Sequence, residues 1–128
     1  MREYSENSLA AIVVNASVEL HRKLGPGMFE SVYETLLAYK LHKLGIQVER
    51  QKSIPLYYEG VVMETAFRAD LVLEDKLIVE VKSVAVLEDI HYKQIISYLK
   101  IADCKLGLLI NFNVPLIKNG IHRIVNNL

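Results

Sequence analysis

The stretch "RADLVLEDKLIVEVKS", residues 68–83, constrains the fold of this chain more than any other. Two apolar runs, Leu71–Leu73 and Leu77–Val81, flank Glu74, Asp75 and Lys76, and the whole reads as a β-hairpin closed by a tight turn. A three-residue loop sets Asp70 opposite Glu80, and directly opposed side chains have Cβ atoms about 4.5–5.5 Å apart. Side chains alternate along a strand, so Glu80 and Lys82 share a face with Asp70 while Leu71, Leu73, Val79 and Val81 fill the other. Facing carboxylates repel and raise one another's pKa unless a cation lies between them. A hard divalent ion with oxygen ligands, Mg²⁺ or Mn²⁺, removes that conflict. The same three residues also fit a solvated hairpin face, where cross-strand ion pairs contribute little. A two-residue turn would leave Asp70 diagonal to Glu80.

The remaining chain supplies elements to cover such a hairpin. Residues 5–25 hold Leu9, Ile12, Val13, Ala16 and Leu20 at helical spacing, with Ser5 or Asn7 suited to cap them. "GPG", residues 25–27, ends that helix. A second helix spans about Phe29 to Leu44, with Val32, Leu36, Leu37 and Leu41 inward and Gly45 closing it. "IQVERQKSIPLYY" and "VVMETAFRADLVL" read as strands around a Glu59-Gly60 turn, followed by the strand "LIVEVKS". A helix starting at Glu88 or Asp89 precedes "KLGLLINF", a continuous apolar run typical of a buried strand, and "IHRIV" adds an edge strand. The order α-α-β-β-β-α-β implies an α/β fold with a mixed sheet flanked by helices, in a single domain over residues 1–128.

Composition limits what the chain does. At 128 residues it buries roughly two thirds of its unfolded surface, enough for one core without staples. The lone Cys104 closes no internal disulfide and suits a reducing compartment. "MREYSENS" lacks a basic leader region and the apolar run Leu9–Val14 is too short to span a bilayer, so a cytoplasmic protein without a membrane segment is expected. Fifteen Lys and Arg balance fifteen Asp and Glu, which counts against a tight non-specific polyanion binder but leaves room for a local basic strip. The four histidines are scattered without zinc-ligand spacing, and no glycine-rich phosphate loop follows a strand.

Two further features sit beside the hairpin. Glu30 lies in the first turn of the second helix with Tyr33 on the same face, a position that equally suits a carboxylate favoured by the helix dipole. His91, Gln94 and Tyr98 form one polar stripe on the third helix, among Ile90, Ile95, Ile96, Leu99 and Ile101. Taken alone, that stripe is a solvated face.

Together these motifs carry a resemblance. "GMFESVY" is a Gly-x-x-Glu-x-x-Tyr pattern on Gly27, Glu30 and Tyr33. With "FRADLVLEDKLIVEVKS" and "HYKQIISYLK", it makes the chain resemble the bacterial and archaeal GxxExxY proteins, a branch of the PD-(D/E)XK nuclease superfamily, from about residue 8 to 125. The resemblance implies a restriction-endonuclease-like core: a mixed sheet of four strands, or slightly more, flanked by helices. It implies that Asp70 and Glu80 are metal ligands, joined by Glu30, and that Lys82 is the catalytic lysine of the Glu-x-Lys. Gln94 matches the polar position of the following helix. The proline that often precedes the aspartate is replaced by Ala69. The implied activity is Mg²⁺- or Mn²⁺-dependent phosphodiester hydrolysis in DNA or RNA, with Arg68, Tyr33, His91 and Tyr98 as candidate substrate contacts. The competing reading is a non-catalytic module that keeps the fold to bind nucleic acid or a protein. Nucleic acid is the expected partner, and a neutral 14.6 kDa unit offers little surface to grip a duplex, which makes a homodimer a reasonable expectation.

Overall fold

A computed structural model describes residues 3–128. Helix α1 (Glu6–Leu24) begins with a reciprocal cap: the Ser8 amide donates to Ser5 Oγ at 3.1 Å and the Ser5 amide to Ser8 Oγ at 3.0 Å. It stops at Gly25, whose φ of 68° suits a residue without a side chain. Helix α2 (Glu30–Lys43) follows, then strands β1 (Val48–Tyr58), β2 (Val61–Leu73) and β3 (Leu77–Lys82). Helix α3 (Asp89–Ala102) crosses to β4 (Leu106–Asn111), and a 3₁₀ turn (Ile117–Asn119) leads into β5 (Ile121–Val125).

The strands form one five-stranded sheet in the order β1-β2-β3-β4-β5. β3 and β4 run parallel because α3 connects them, and the other neighbours are antiparallel. The sheet is therefore mixed, as the element order predicts, and the edge segment near the C-terminus is its fifth strand. β3 and β4 are apolar along nearly their whole length because both faces are covered. On one face α1 and α2 pack against Leu71, Leu73, Val79, Val81, Leu108 and Ile110. On the other, α3 sets Ile95 and Leu99 against Val72, Ile78, Leu109 and Ile124. No helix among the described residues is long and apolar enough to cross a membrane.

The second helix turns a different stripe inward from the one its hydropathy predicts. Tyr33, Glu34, Leu37, Ala38 and Leu41 are buried, whereas Leu36 is exposed and Val32 only half-buried. Hydropathy favours Val32 and Leu36 over a glutamate, but the sheet offers Glu34 polar partners on β1, described below. The rotation is small, since Leu37 and Leu41 belong to both stripes.

Where the chain leaves β3, a buried amide fixes its path. Asn111 Oδ1 accepts from the Val84 amide at 3.1 Å and from the Asn113 amide at 3.2 Å, and its Nδ2 donates to the Val84 carbonyl at 2.9 Å. Asn111 also stands opposite Lys82 in the β3–β4 register. An Asn111→Ala variant leaves these half-buried backbone groups without their partner, and an unsatisfied buried group costs about 1–3 kcal/mol. Urea denaturation of that variant is expected to show a loss of about that size with an unchanged slope.

Candidate active site

The hairpin adopts the register its loop length dictates: Leu73 pairs with Leu77, Val72 with Ile78 and Leu71 with Val79. One step further the backbone ladder ends and side chains replace it. The Asp70 amide donates to Glu80 Oε2 at 2.8 Å, and the Val81 amide donates to Asp70 Oδ2 at 2.8 Å. Each carboxylate thus takes a bond that a strand carbonyl would otherwise accept. β2 and β3 part at this point, β3 continuing beside β4 and β2 beside β1.

β2 also changes face here. Phe67 and Ala69 pack on the α3 side with Val72, whereas Leu71 and Leu73 pack on the α1/α2 side. Unbroken alternation would put Ala69 with Leu71. β1 makes the matching slip: Val48 lies on the α1/α2 side and Ile54 on the α3 side, with Gln51 between them at φ 47°. The β1–β2 pairing passes from Arg50–Leu71 to Lys52–Ala69 and skips Gln51 and Asp70. A non-glycine residue in this left-handed region costs on the order of 1–3 kcal/mol, and such strain gathers at functional sites. Here it aims a side chain. Gln51 Nε2 donates to Glu34 Oε1 at 2.7 Å and to Asp70 Oδ1 at 3.1 Å, bridging the helix acid to the strand acid. Arg50 holds the other oxygen of Glu34 at 3.1 Å.

Three carboxyl groups therefore surround the point where the strands separate. Burial pushes the Glu80 pKa up to about 8, with the neighbouring Asp70 charge adding to the effect. Asp70 is raised as well, chiefly by burial, against the lowering influence of the Val81 amide. Lys82 lowers both through its charge without outweighing these effects, and among the described residues it closes no ion pair. The oxygen-rich, repelling pair is the chemistry a hard divalent cation satisfies. Among the described residues no three His, Cys, Asp or Glu side chains form a ready-made ligand set. Asp70 and Glu80 are the side chains here that would hold such a cation.

The other expected residues fall in different places. Glu30 is exposed and accepts from the Ser83 amide at 3.3 Å, so the acid that the Gln51 amide bridges to Asp70 is Glu34, one turn on. Tyr33 is fully buried, stacks on Phe112 at 4.5 Å, and spends its hydroxyl on the 25–28 turn, donating to Gly25 O at 2.6 Å and accepting from the Met28 amide at 3.1 Å. It shapes the loop before α2. His91 Nδ1 accepts from the Glu88 amide at 3.0 Å and so caps α3. Arg68 reaches Ser53 of β1, its partner in the β1–β2 register, at 2.9 Å. Tyr98 stacks on Phe67 at 3.9 Å, and its phenol is pushed up by burial and by the charges of Glu80 and Asp70. Gln94 lies one turn before it on α3, exposed to solvent. Sequence reasoning missed Glu34 and Gln51. Glu34 carried a signal, since it lies between the core positions Tyr33 and Leu37. Gln51 carried none, because nothing in "ERQKS" marks a left-handed turn.

The family model of the PD-(D/E)XK nuclease superfamily matches residues 7–124. The crystal structure of SSO0001 superposes with a TM-score of 0.56 at 22% identity, over 77% of this chain and 51% of that one, and so shares the fold. The chain thus spans about half the length of that solved protein. No curated protein matches it.

The raised Glu80 pKa sets a pH dependence. Below about 4.5 the carboxyl is protonated whether the chain is folded or not. Between there and about 8 only the unfolded chain ionises, so stability is lost across that window as pH rises. Denaturant titrations of metal-free protein are expected to show this decline, and Glu80→Gln is expected to flatten it.

Proposed function

We propose that this chain, which belongs to the PD-(D/E)XK nuclease superfamily, is a divalent-metal-dependent phosphodiesterase acting on DNA or RNA. The observation that carries the reading is the buried Asp70–Glu80 pair at the parting of two strands, with Lys82 two residues further on. The superfamily generally uses divalent metals, and the donor set described above suits Mg²⁺ or Mn²⁺. The Gly27, Glu30 and Tyr33 pattern supports placement in the GxxExxY branch.

Asp70 and Glu80 hold the cation. When bound, it polarises the scissile phosphate and acidifies a water ligand. Lys82, two residues beyond Glu80 on β3, orients the attacking water and stabilises the negative charge that develops in the transition state. Gln51 keeps Asp70 in place through its amide and couples it to Glu34. Gln94 and Tyr98 line the α3 side, where Gln94 is free to meet water or the substrate backbone.

Purified protein offered single-stranded, duplex and branched DNA and RNA is expected to cleave one of these with Mg²⁺ or Mn²⁺ and to stop when EDTA is added. Lys82→Ala and Asp70→Ala are each expected to lower the rate by roughly 100-fold or more, the usual loss when a group stabilising developing charge is removed. Cleavage that survives both substitutions locates the activity elsewhere. Calorimetric binding of Mn²⁺ with no cleavage of any substrate would favour the non-catalytic binding module.

A further inference from the structure

The β1–β2 hairpin outgrows the body of the protein. Beyond Ile54 and Phe67 none of its residues joins either hydrophobic core. The pairing continues through Leu56–Met63, Tyr57–Val62 and Tyr58–Val61. Paired residues share a face and neighbours alternate, so Tyr57 and Val62 lie on one side while Tyr58, Val61 and Met63 lie on the other. Their exposures run from 50% for Met63 to 71% for Tyr57. A two-stranded ribbon bare on both faces is marginal alone in water, and this one carries an apolar patch that monomers rarely expose.

The charges on this arm indicate what covers it. Residues 53–67 contain no Lys or Arg, and the tip carries Glu59 and Glu64. Such a tip repels phosphate and favours a protein surface with a base on it. This chain has that surface. A cleft of about 580 Å³ runs between residues 52–57 of β1 and the last turn of α3, Lys100–Ala102. Lys52 at its rim is already paired with Glu49 and Asp75. Lys100 is exposed and, among the described residues, has no ion-pair partner, and neither do Glu59 and Glu64.

We infer that two copies of this chain exchange arms. They lie antiparallel about a two-fold axis, each tip seated in the cleft of the other copy. The geometry is self-complementary, as an isologous dimer requires. It brings the acidic tip of each arm to Lys100 of the other copy and covers the five apolar side chains twice. Aromatic side chains bury roughly 150–250 Å² each, so Tyr57 and Tyr58, with Val61, Val62, Met63 and the adjoining strand, supply a substantial share of the roughly 800 Å² per partner of a stable interface.

Sedimentation velocity and light scattering of the full chain over a concentration series test this. A dimer is expected. Val62→Asp, at an exposed position that does not disturb the core, is expected to raise the dimer dissociation constant by roughly tenfold or more while circular dichroism stays unchanged. Lys100→Glu is expected to weaken the dimer, and adding Glu59→Lys with Glu64→Lys to it is expected to restore assembly. A chain that is monomeric throughout overturns the inference. So does a dimer indifferent to Val62→Asp, or a charge reversal that restores nothing. If Val62→Asp alters only the affinity for nucleic acid, the arm is a nucleic-acid contact and the exchange is wrong.

Discussion

The architecture of the site depends on one substitution in the hydrogen-bond ladder. At the end of the β2–β3 pairing, two carboxylates accept the amides of Asp70 and Val81 in place of backbone carbonyls. The backbone donors stay satisfied, so the strands separate without leaving buried amides orphaned. The cost is electrostatic, because two acids are placed close together and largely out of water. A hairpin built only for stability would continue the ladder. The arrangement makes sense where a cation offsets the repulsion, and its position is fixed to the peptide groups of two strands at once.

Everything around that point holds it in place. The left-handed Gln51 on β1 turns an amide toward Asp70 and Glu34. Arg50 neutralises Glu34 from the far side. Asn111 pins the chain just after Lys82, and the Tyr33 hydroxyl ties down the turn that feeds α2. These contacts come from three different elements, β1, β4 and α2, so the geometry rests on the packed fold and not on any one loop.

Much of this was legible in the sequence, and the boundary of legibility is physical. The hairpin register followed from loop length, and the mixed sheet followed from the helix that separates the last two apolar runs. Asp70, Glu80 and Lys82 stood out because charges in such runs conflict with burial. What stayed hidden depended on backbone torsions and on rotation of helices. The slip at Gln51 and Asp70 violates the two-residue period, so nothing in the pattern announced it. The inward turn of Glu34 depends on partners from β1 that are distant in sequence. The turn-anchoring bond of Tyr33 and the capping bond of His91 were not legible, because polar groups at helix starts fit several roles equally.

The two helical layers are not equal. α1 and α2 bury twelve residues between them, while α3 buries only Ile95 and Leu99 and leaves Ile90 and Ile96 in solvent. Elements held by few buried contacts open first in sub-global fluctuations. Of the two helical layers, the wall that carries Tyr98 and Gln94 is therefore the one that opens more readily. Its amides should exchange with deuterium ahead of those in α1.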